Sequence, residues 1–116
     1  MSDWNDKEPI YMQLRNRILH GIMTGSLAEG DAVPSVRQVA GDEHINPITV
    51  SKAYQILVNE TLLETRRGLG MFVLPGARKR ALATERSNFL VHEWPTIKAR
   101  IHTLDLDPAE LLQGED

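Results

Sequence analysis

There is no cysteine anywhere in the 116 residues of this chain. Disulfide staples and thiolate metal ligands are thereby excluded, and a reducing compartment suits such a protein. No apolar run approaches the ~20 residues that a membrane-spanning helix needs, and no secretory-leader pattern opens the chain. These absences predict a cytoplasmic protein with no membrane partner. Catalytic constellations are also missing: no nucleophile stands with a base, and the acids are scattered over helix faces, so no enzyme is expected. His20, His44, His92 and His102 lack ligand spacing on one helix, so no metal or other cofactor is expected within one chain. A site shared between subunits, drawing on His92 or His102 with Glu93, stays open.

A basic excess is lacking as well. Lys and Arg number 13 against 16 Asp and Glu, a net charge of −3. A polyanion is therefore gripped only if cations gather on one face, and Arg15, Arg17, Arg37, Lys52, Arg66 and Arg67 are the candidates. The length suits one domain plus an appendage, too small for most multi-part catalytic sites.

What the chain does have is a sharply punctuated centre. Ser35 with Gln38 three residues on is a capping box, and Val36, Val39 and Ala40 give the apolar stripe of a short helix ending near Glu43. Asn46 followed by Pro47 marks the start of a second helix. Val50, Ala53, Tyr54, Leu57 and Val58 fall on its inner face, while Ile48, Thr49, Ser51, Lys52 and Gln55 lie on or beside the outer one. Only His44 and Ile45 separate the two helices, which forces the sharp crossing of a helix-turn-helix.

Two short apolar or β-branched runs, Leu62 to Thr65 and Met71 to Leu74, then flank Arg66, Arg67, Gly68, Leu69 and Gly70. The glycines permit positive φ, and two adjacent arginines suit a wing that lies along a phosphate backbone or in a minor groove. Upstream, Ile10, Leu14, Ile18 and Ile22, with Tyr11 and Leu19, describe an amphipathic scaffold helix closed near Gly25. Residues 26–33 contain the turn pair Gly30-Asp31 and a brief extended piece that pairs with the hairpin. The fold expected is mainly α with a small β-hairpin: a winged helix-turn-helix over residues 1–76, followed by a short helical dimerisation and effector region over 77–116.

These motifs, P-S-V-R at 34–37, I-N-P-I-T-V-S-K-A-Y at 45–54 and R-R-G-L-G at 66–70, together resemble the DNA-binding domain of GntR-family bacterial transcription regulators. The likeness covers about two thirds of the chain. It implies a dimeric regulator that binds double-stranded operator DNA, commonly a repressor released by a small-molecule effector. Position by position it implies DNA contacts from Arg37, Asn46, Ile48, Thr49 and Ser51, and from Arg67 and Gly68 at the wing tip; Ser35, Lys52 and Arg66 are further DNA-binding candidates read from the residues themselves. Some family members carry arginines within the recognition helix where Pro47 and Ser51 stand here, so guanine reading from that helix is not assured. Thr49 and Lys52 are the substitutes, or Ile48 against a thymine methyl. The other reading of the fold is a winged helix used only for protein contacts, which has no need of Arg66 and Arg67 beside two glycines.

Beyond the wing, Arg78, Lys79 and Arg80 either touch the DNA backbone or solvate a helix start. Ala83, Ser87, Leu90, Trp94, Ile97, Ile101 and Leu104 then repeat at alternating four- and three-residue steps. That is a heptad seam, which makes Leu90, Trp94, Ile97, Ile101 and Leu104 the dimerisation candidates. Pro95 predicts a kink or short break near Glu93 and Trp94. Asp107, Pro108 and Glu110 open a last short helix that ends near Gly114. So brief a tail resembles the YtrA subfamily, and two short helices enclose an effector only with a second protomer, at the dimer interface.

Overall fold

The computed structural model describes residues 4–114, and its contacts divide the chain into two units after Leu82. In the first unit, α1 (Ile10–Thr24), α2 (Val36–Glu43) and α3 (Pro47–Asn59) precede a hairpin of β1 (Leu63–Arg66) and β2 (Gly70–Val73), and the start of α4 (Ala77–Asn88) comes after it. α1 and α2 both pack on α3, and α3 also meets β1. The expected winged helix-turn-helix is therefore the observed fold.

Local chemistry sets the helix boundaries. Gln38 donates its backbone N–H to Ser35 Oγ at 3.1 Å, and Ile48 donates to Asn46 Oδ1 at 2.8 Å, so both caps satisfy donors that the first turn leaves unpaired. His44 closes α2 in the left-handed region at φ 56° with its N–H on the Ala40 carbonyl, and the next N–H, that of Ile45, reaches the same oxygen. This doubly bonded corner swings the chain straight into α3.

The core is drawn from every element. Leu14, Ile18, Leu19 and Ile22 of α1 meet Val50, Ala53, Tyr54 and Leu57 of α3, with Leu63 and Val73 of the hairpin beneath. Val58 is only half-buried. The extended piece before α2 joins the hairpin through an Ala32–Phe72 bridge, with Val33 N–H on the Met71 carbonyl. Ala77 and Ala81 are also fully buried in this core, so the winged unit runs on into α4. By its contacts the first unit reaches Leu82, where the sequence reading placed the boundary after residue 76.

Tyr54 brings a polar tip into the core, and its hydroxyl donates to the Pro34 carbonyl at 2.6 Å. Burial pushes that hydroxyl up from 10 to about 12. Between those values an unfolded tyrosine has lost its proton and the folded one has kept it, so the unfolded state binds fewer protons. Stability is therefore complete below pH ~10 and falls as pH rises toward ~12, at up to about 1.4 kcal/mol per pH unit. Tyr54→Phe is expected to remove this alkaline slope while costing about 1 kcal/mol at neutral pH through the lost hydrogen bond. Urea unfolding of both proteins across that pH range checks it; an unchanged slope would show that Tyr54 does not carry it.

In the second unit the rest of α4 is followed by a π-helical turn (Phe89–Glu93), α5 (Trp94–Thr103) and α6 (Pro108–Gln113). Asp107 caps α6 by accepting the Ala109 N–H at 2.9 Å, as its sequence signature foretells. The disturbance expected near Glu93 and Trp94 is there, as a π-helical turn that ends at Glu93 and not as a gap between helices. The backbone widens instead, with the Trp94 N–H reaching back five residues to the Phe89 carbonyl, and Pro95 stands in the first turn of α5 where its missing N–H matters least.

Candidate nucleic-acid interface

α3 is buried along one flank and open along the other, and the open flank begins at its N-terminus. Ile48, Ser51, Lys52 and Gln55 are exposed, Thr49 is half-buried, and Asn46 is an exposed cap whose side-chain oxygen is already committed to Ile48. Ser35 and Arg37 lie at the start of α2 and are likewise exposed. An open groove bounded by Val36, Arg37, Ala40, Gly41, Ile45 and Pro47 joins the starts of the two helices. The helix-turn-helix thus presents Arg37 and the first turns of α3 side by side.

The wing differs in detail from its sequence reading. Arg66 and Gly70 are not loop residues: they pair with each other as the last rung of the ladder. The turn is Arg67-Gly68-Leu69, closed by the Leu69 N–H on the Arg66 carbonyl at 2.9 Å, with Gly68 at φ 77° where a side chain would be strained. The two arginines consequently do different things. Arg66 lies 4.2 Å over the Phe72 ring and pairs with Glu64 at 3.0 Å, whereas Arg67 stands at the tip, exposed and outside any ion pair among the described residues.

The other candidate cations divide in the same manner. Arg15 forks onto both carboxylate oxygens of Glu60, and Arg17 pairs with Glu43 at 3.4 Å while stacking 4.0 Å from the Trp4 ring. Lys52 carries no carboxylate partner among the described residues, but its ammonium sits 4.0 Å over Tyr11. Arg78 and Arg80 are drawn inward, donating to the backbone carbonyls of Met23 and Thr61. They tie α4 to the winged core, a use that neither role expected for the 78–80 stretch included. Among the described residues, Arg37, Lys52 and Arg67 are cations near α3 and the wing that have no carboxylate partner.

A family model for bacterial regulatory proteins of the gntR family matches residues 8–73, the span from α1 through the wing. The chain belongs to the GntR family. A relative in Bacillus subtilis, the HTH-type regulator YhcF, is 30% identical over 114 residues, covering 97% of this chain and 92% of its own. The repressor YtrA of the same organism is 38% identical over 76 residues, 66% of this chain and 58% of its own. Among solved structures, a GntR-family regulator from Listeria monocytogenes superposes with a TM-score of 0.73 at 26% identity over 94% of both chains. The DNA-binding domain of AraR in complex with operator ORE1 superposes at 0.55 with 26% identity, over 63% of this chain and 87% of its own. As a GntR-family protein of the YtrA kind, the chain is a helix-turn-helix transcription regulator, and the protein-contact reading of the winged helix is not favoured.

In the tail, every apolar member of the heptad is open to solvent in the single chain. Leu90 lies in the π-helical turn, Trp94, Ile97 and Ile101 on α5, and Leu104 just past its end; only Ile101 is as much as half-buried. Because the π-helical turn holds one residue more than an α-turn, it rotates the downstream helix by roughly 100° and interrupts the strict seam from Ala83 and Ser87 onward. The heptad reading missed other exposed apolar residues, namely Phe89, Val91, Leu106, Leu111 and Leu112. Phe89 and Trp94 bring their ring centres within 6.4 Å. An open groove of about 610 Å³ runs beside Trp94, Lys98, Ile101, His102, Leu106 and Pro108. The groove is open to solvent and not walled in by the single tail. Among the described residues no three His, Asp or Glu gather as a metal site, and no helix is long and apolar enough to cross a membrane.

Proposed function

We propose that this GntR-family protein binds double-stranded operator DNA as a homodimer and acts as a repressor, with α3 in the major groove and the wing against the adjacent backbone. The observation that carries this reading is the open flank of α3, bordered by the unneutralised Arg37 and Arg67. Arg37, Arg67 and the Gly68 backbone position the dimer on phosphates, Ser35 and Arg66 support that grip, and Asn46, Ile48, Thr49, Ser51 and Lys52 face the bases. The exposed apolar residues of the tail, Leu90, Trp94, Ile97, Ile101 and Leu104, join two protomers, so that two recognition helices meet half-sites about one turn, ~34 Å, or a little more apart.

A small apolar effector lodged at the joined tails then shifts the spacing of the two helices with a coupling of ~1–3 kcal/mol and releases the operator. The protein works by binding and carries out no catalysis, in the cytoplasm where its DNA lies. Fluorescence anisotropy with the promoter DNA of its own operon, repeated at rising salt, tests the reading. About four phosphates neutralised per protomer give a log–log salt slope of roughly −7. Binding without salt dependence, or none at all, would return the fold to protein contacts.

A further inference from the structure

The open flank of α3 carries a fully displayed hydrocarbon among its exposed polar side chains. Ile48 is 74% exposed, and the bond from its N–H to Asn46 Oδ1 fixes it in the first turn. Three of the polar side chains around it already have partners within the protein, while Ser51 is exposed beside it. The Asn46 oxygen is spent on the cap, Lys52 is held over Tyr11, and Gln55 donates to Asn59 Oδ1 at 3.1 Å. Thr49 is half-buried.

A lone exposed isoleucine is ordinary on a protein surface, and its position gives this one meaning. It stands in the first turn of the helix whose N-terminal residues meet base edges in this fold. In the major groove the apolar feature of a base pair is the C5-methyl of thymine; the other base edges show donors and acceptors that a hydrocarbon would cover and leave unpaired. We propose that Ile48 reads a thymine methyl, so that each operator half-site carries one thymine whose methyl is required. This rests on the operator-binding reading above and specifies what that site recognises.

The test uses the full-length protein and an operator fragment selected from genomic DNA. Each thymine is replaced by deoxyuridine, which removes the methyl and nothing else, and binding is measured by anisotropy. At one position per half-site the replacement is expected to weaken binding about fourfold, and about 15-fold when both half-sites are changed. Ile48→Ala, a change at an exposed position that leaves the core untouched, is expected to abolish that sensitivity and to bind thymine DNA about as weakly as the wild type binds the deoxyuridine fragment. If no deoxyuridine weakens binding by twofold, or if the sensitive position stays sensitive in Ile48→Ala, the methyl contact is wrong while the operator reading stands. A wild-type protein that shows no salt-sensitive complex with any fragment overturns both.

Discussion

Ile97→Asp is expected to turn the proposed dimer into monomers and to weaken operator binding by on the order of 100-fold or more. Ile97 is exposed on α5 with Trp94 one turn before it and Ile101 one turn after, a row that in the single chain offers apolar surface only to water. Placing a carboxylate in the middle of that row leaves a charge to be buried without a partner, which association cannot offset. The DNA effect comes from the loss of linkage. Two joined recognition units make the second half-site encounter intramolecular, and separating them forfeits an avidity of about 10²–10⁴. Sedimentation velocity reads the first effect and anisotropy the second. The substitution lies outside the winged core, so the thermal melting of that unit should be unchanged. A variant that stays dimeric would show that the two protomers join elsewhere.

The double substitution Arg37→Ala with Arg67→Ala should cut the salt slope from roughly −7 to roughly −4, since each arginine removes one phosphate contact per protomer and the dimer loses four. Affinity near physiological salt is expected to fall on the order of 100-fold, and about equally for every DNA sequence, because phosphate contacts position the protein without reading bases. Thr49→Ala or Lys52→Ala should instead alter the ranking among sequences. Lys52→Ala also uncovers the Tyr11 ring, so its folding is to be checked beside its binding. An unaltered salt slope in the double variant would remove the wing tip and the start of α2 from the interface.

The parts of this protein that were legible in its sequence are those whose cause is local. Ser35, Asn46 and Asp107 cap helices because a short oxygen-bearing side chain can reach an N–H two or three residues ahead whatever the rest of the chain does. Gly25 and Gly68 mark left-handed turns for the same reason. Spacing likewise placed Val50, Ala53, Tyr54 and Leu57 inside and Ile48 and Ser51 outside, because helical periodicity is a property of the backbone alone. Pro95 was visible as a disturbance, but not as a π-helical turn, since a kink, a break and a widened turn all relieve the same steric clash.

The candidate interface was legible only as a set of residue types. Six cations qualified by sequence, and for two of them the neutralising carboxylate lies far along the chain: Glu60 is 45 residues from Arg15 and Glu43 is 26 from Arg17. Arg66 and Arg67 are neighbours with the same side chain, yet strand pairing turns one onto Phe72 and Glu64 and leaves the other at the tip. Even the end of the winged unit depended on such packing, because Ala77 and Ala81 carry no local sign that they are core.

By itself, then, the order of residues determined where helices start, which flank of α3 faces out and that a two-stranded wing comes after it, because these rest on hydrogen bonds and periodicity within a few residues. Which cations have their charge neutralised by a carboxylate and which keep it, only the tertiary structure decided. The physical reason is that neutralising a charge or engaging an amide takes a partner brought close by folding, and nothing in the nearby sequence records which partner that is.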